Sequence, residues 1–177
     1  TMAGAANRCV IPEYEFDIKL PKKLRSESTV TDALKRLQSQ KSNLKEYFFW
    51  FQINDKIDEK VLGYMQNNDF NNAILTWRNA SKATNTTSYF YKRNLAILYC
   101  LLLFEKNNLD YLKESLMAWH EILDSEKFWD GFSKLYTSNN DQFTNSEIFS
   151  DFKKNVVKYV SDIYTELHKH HKDNHYI

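Results

Sequence analysis

Glycine and proline are scarce in this chain of 177 residues, which holds 3 Gly and 2 Pro. Both prolines, Pro12 and Pro21, come before Lys22. From there on almost nothing forces a break in the backbone, which favours long helices over short strands joined by tight turns. So little glycine also excludes the loops that cradle phosphate, and no nucleophile elbow or paired-cysteine motif occurs. Cysteine is equally rare. Cys9 and Cys100 stand far apart, so no disulfide framework is indicated and a reducing, cytoplasmic setting is expected. A dominant charge is missing as well: 24 Lys and Arg face 23 Asp and Glu, for a net charge of +1. That balance gives no electrostatic reason to expect nucleic acid or an anionic membrane surface as a partner. Long apolar runs are absent too. The longest, residues 95–104, is about half the ~20 residues needed to span a bilayer, and it lies too far along the chain for a signal peptide.

What the chain does have is aromatic mass, with 12 Phe, 11 Tyr and 4 Trp. That is enough for a sizeable core. The length argues for one domain. Residues 1–28 read as a flexible leader and an extended arm, in which Tyr14, Phe16, Ile18 and Leu20 alternate with Glu15, Asp17 and Lys19. The basic cluster Lys22, Lys23 and Arg25 reads as solvated. Residues 29–177 read as a single helical-repeat domain.

Residues 67–83, NNDFNNAILTWRNASKA, carry the organising pattern. Asp69 is placed to accept the free N–H groups of a helix start. Phe70, Ala73, Ile74, Trp77 and Ala80 then fall on one helical face. The pattern recurs 42 residues later, with Ser115, Leu116, Trp119 and Ile122 in place of Ala73, Ile74, Trp77 and Ala80. Repetition of this kind predicts stacked helical hairpins, irregular and tetratricopeptide-like, neither able to bury its apolar face alone.

Other helices are expected around these. One runs to about residue 40 from a cap at Thr29 or Thr31, with Leu34 and Leu37 inward. One spans 43–53, aromatic on all sides through residues 47–51 and therefore central. Another, with Asp55 and Asp58 offering caps, runs to about residue 66, and its Gly63 is expected to mark close packing. Residues 89–106 and 109–123 form the second hairpin, and 125–136 a further helix. A capping box of Thr144 and Glu147 starts a long C-terminal helix that closes the stack. Its stripe of Phe152, Val156, Tyr159 and Ile163 offers a surface for a homodimer.

Residues 33–37, 47–51, 69–77 and 94–99, together with Trp119, resemble the helical region that follows a J-like domain in certain bacterial J-domain-related proteins. That region is tetratricopeptide-like, so the resemblance implies an all-α fold and a chaperone-linked role. The chain lacks the closing proline of the tetratricopeptide pattern, and its spacing exceeds the usual ~34 residues. It contains no His-Pro-Asp tripeptide, so stimulation of a heat-shock chaperone by the J-domain route is not expected of it. The resemblance leaves room for a J-like segment ahead of Thr1.

Catalytic signals are weak. His171 and His175 are spaced to share a metal on a helix but have no completing ligand, and a solvated tail explains them better. His120, close to Glu114 and Glu121, reads as a surface histidine. No metal, cofactor or catalytic residue is expected. The expected function is a non-enzymatic module that binds a peptide or protein segment, with a structural, homo-oligomerising domain as the alternative. Aromatic residues at helical spacing are core in the first instance, and Trp50, Trp77, Trp119 and Trp129 are assigned there. The candidate groove is lined by the polar positions beside them: Asn72, Arg78, Asn79, Tyr91, Lys92, Arg93 and Asn94.

Overall fold

The computed structural model describes residues 31–32, 34–35, 37–106, 108–140 and 145–173. All regular structure among them is helical. Residues 31–32, 34–35 and 37 are helical; after them come α1 (Gln40–Phe49), α2 (Lys56–Gln66), α3 (Phe70–Ala80), α4 (Thr86–Lys106), α5 (Leu109–Leu123), α6 (Glu126–Asn139) and α7 (Ser146–Asp173). The leader, the arm, Cys9 and the basic cluster before residue 26 lie outside the described residues, as do Thr29, Thr144 and His175.

Polar caps set most of the boundaries. The Asp55 carboxylate accepts the N–H groups of Ile57 and Asp58 at the start of α2. Asp69 accepts from Asn72 at the start of α3, and Ser125 accepts from Phe128 at the start of α6. At α7 the cap is Asn145, whose side chain accepts from Glu147 and Ile148. The turn between α2 and α3 is very tight. Asn68 N–H donates to Met65 O at 3.0 Å and Asp69 N–H to Tyr64 O at 2.8 Å, with Asn68 at φ 57°. These are the paired bonds of a helix end turned through a left-handed residue, a conformation asparagine tolerates better than most. Asp69 thus finishes one helix and caps the next.

Each helix from α2 to α5 packs on its successor in the chain, and α4 also meets α6 and α7. The helix buried on every side is therefore α4, where residues 93–100 are all buried. The expectation had given that central place to residues 43–53. In fact α1 ends at Phe49, Trp50 is extended, and residues 51–54 form no helix before the Asp55 cap. Leu44 and Phe48 point into the core, while Trp50 is 54% exposed, against its assignment to the core. One helix face cannot hold five consecutive aromatic residues, and α1 packs chiefly on α7.

Two further expectations change. Leu34 is 58% exposed and does not face inward. Gly63 has nothing within 4 Å of where a Cβ would stand; the close approach is at Gly131, where a Cβ would run into Thr86 Cγ2.

Phe48 is the hub of the aromatic core. Its ring stacks on Trp119 (5.5 Å, 21°) and Trp129 (5.8 Å, 10°) and meets Phe128, Phe132 and Phe152 edge-on. Three residues on, Phe51 stacks on Trp77 (5.7 Å, 24°). Trp77, Trp119 and Trp129 are all buried. Phe152 and Val156 are buried within the chain as well, which withdraws them from the homodimer surface expected of α7.

Candidate binding cleft

The seven residues expected to line a groove separate into two groups. Asn72, Arg78 and Asn79 are exposed on α3, and Lys92 is half-buried on α4. Each has a partner of its own. Asn72 donates to its cap Asp69, Arg78 bridges Tyr99 (2.8 Å) and Glu114 (3.2 Å), Asn79 accepts from Lys82, and Lys92 pairs with Glu121 at 2.6 Å. Tyr91, Arg93 and Asn94 are buried. A partner does not reach them, and the reason is that α4 has no wide solvent face on which to display them.

These buried groups hold segment 50–54 against α4. Asn94 pairs with Gln52 as a neighbouring strand would: its Oδ1 accepts the Gln52 N–H at 3.2 Å and its Nδ2 donates to Gln52 O at 2.8 Å. Arg93 donates to Trp50 O at 3.0 Å. Asp58, also fully buried, accepts from Trp77 Nε1 (2.7 Å), Asn54 N–H (2.9 Å) and Asn94 Nδ2 (3.4 Å). The Tyr91 hydroxyl donates to Asp55 at 2.5 Å. Burial raises the Asp58 carboxyl above its ordinary value, although the Asn54 and Trp77 bonds oppose that. Burial also pushes the Arg93 guanidinium down to about 9, which leaves it charged at neutral pH. The one trace of this network visible in the sequence is Asp58, three residues beyond the Asp55 cap.

The cleft itself opens elsewhere, along the seam of α1 and α7. Its inner end is a pocket of about 100 Å³ walled by Phe49, Ile97, Cys100, Leu101, Trp119, Val160, Ile163 and Tyr164. The polar groups among these walls are the Tyr164 hydroxyl, the Trp119 indole N–H and the Cys100 thiol. The hydroxyl is already engaged. Ser115 spends its own hydrogen on Ala96 O at 2.5 Å, so Tyr164 donates to Ser115 Oγ. Burial pushes the Cys100 thiol up to about 11, so at neutral pH it is a protonated, weakly nucleophilic wall group.

Phe49 and Ile163 also border an outer space of about 270 Å³, completed by Lys45, Glu46, Tyr159 and Asp162. The two spaces adjoin along the seam, sharing Phe49 and Ile163; the inner one is largely apolar and the outer one is edged by charged side chains. Lys45 Nζ lies 3.7 Å from the Tyr159 ring centre, a cation–π contact. Asp162 is paired with Lys158 one turn back.

His120 is far from catalytic geometry: 78% of its side chain is exposed, and its neighbour is Asp124 at 3.2 Å. No cluster of three or more His, Cys, Asp or Glu able to hold a metal occurs among the described residues. No described helix is long and apolar enough to cross a membrane. No family model matches the chain, and neither does any curated protein or solved structure.

Proposed function

We propose that the chain is a non-enzymatic protein-interaction module whose cleft between α1 and α7 takes up an apolar segment of a partner protein. The single observation that carries this reading is the pairing of an aromatic-walled pocket with a charged rim along one seam. Binding sites are typically concave and mostly apolar, with few polar groups to set orientation. Leu101, at the mouth, is 42% exposed, an apolar side chain left for a partner to cover. In this reading the pairs α2–α3 and α4–α5 are irregular tetratricopeptide-like hairpins, closed by α7. The matched stacking of Trp77 on Phe51 and of Trp119 on Phe48 supports it. This reading keeps a chaperone-linked partner, as the sequence resemblance to the helical region of J-domain-related proteins implies.

The groove moves from the polar residues of α3 and α4 to a different seam, because those residues are buried or already paired. Panning a random peptide library on the full chain, in parallel with an Ile163→Trp variant that fills the pocket, tests the reading. Clones retained by the first protein and lost by the second are expected. No enrichment, or clones indifferent to the substitution, would remove it.

A further inference from the structure

We draw no further inference here: the strongest candidate, the exposed apolar face that Leu109, Leu116 and Met117 give α5, carries nothing because nothing in the structure shows what covers it.

Discussion

The indole N–H of Trp77 donates to Asp58 Oδ1 at 2.7 Å, and both residues are fully buried. This bond ties the middle of α3 to the first turn of α2, and the same carboxylate receives Asn54 from the segment that precedes α2. Replacing Trp77 with Phe keeps most of the apolar volume but leaves a buried carboxylate short of a donor. That costs roughly 1–3 kcal/mol. Urea unfolding of Trp77→Phe should show a lower midpoint with an unchanged slope. An unchanged midpoint would mean that the bond contributes nothing net.

Asp58 also sets a pH dependence. Burial raises its carboxyl above the ordinary 3.8, so the folded chain holds this proton more tightly than the unfolded one. Its contribution to stability is therefore greatest below the ordinary value. That contribution falls as the pH rises through the raised folded value, and it is a constant cost above it. Against an Asp58→Asn variant, which cannot titrate there, the natural chain should gain relative stability as the pH drops from 7 toward 4. Chemical denaturation at several pH values measures the gap. A gap that moves the other way would show that the Asn54 and Trp77 bonds outweigh burial.

Lys92 and Arg93 are neighbours in sequence with opposite fates. Lys92 makes one partly exposed ion pair with Glu121, worth about 0–1 kcal/mol. Arg93 is fully buried and donates to Trp50 O and to Asn94. Lys92→Glu should leave the circular dichroism spectrum and melting temperature nearly unchanged, whereas Arg93→Glu should prevent folding or cost roughly 3–5 kcal/mol. Similar melting temperatures for the two variants would refute the placement of Arg93.

Asn68 sits at φ 57° in the turn between α2 and α3. Asn68→Gly should be neutral or slightly stabilising, since glycine enters this region freely. Asn68→Val should cost about 1–2 kcal/mol, the penalty of a left-handed conformation for a side chain of that shape. Thermal melts of the two variants, compared side by side, decide the point.

The sequence shows its helices plainly where a polar cap meets an apolar period. Asp69 marked a start that the structure keeps; of the two caps offered for α2, the structure uses Asp55 and buries Asp58. The 42-residue recurrence pointed correctly to two buried tryptophans. Residues 50–53, Trp-Phe-Gln-Ile, were illegible because nothing in them opposes a helix. The chain leaves the helix there since Asn94 and Arg93, some 40 residues on, capture its backbone. No local pattern encodes such a long-range bond. The cleft was hidden for a similar reason. Its walls come from four helices, and Phe49, Leu101 and Ile163 look like ordinary core positions until the packing shows which side is left open.

The most direct test of the cleft is methyl NMR of the full chain during titration with a peptide selected by the library panning. Shifts concentrated on Ile97, Leu101, Val160 and Ile163, with the methyls of Val61, Leu62 and Ile122 still, are the predicted result. Binding that leaves those four signals in place, or that moves methyls on α2 and α3 instead, would contradict it.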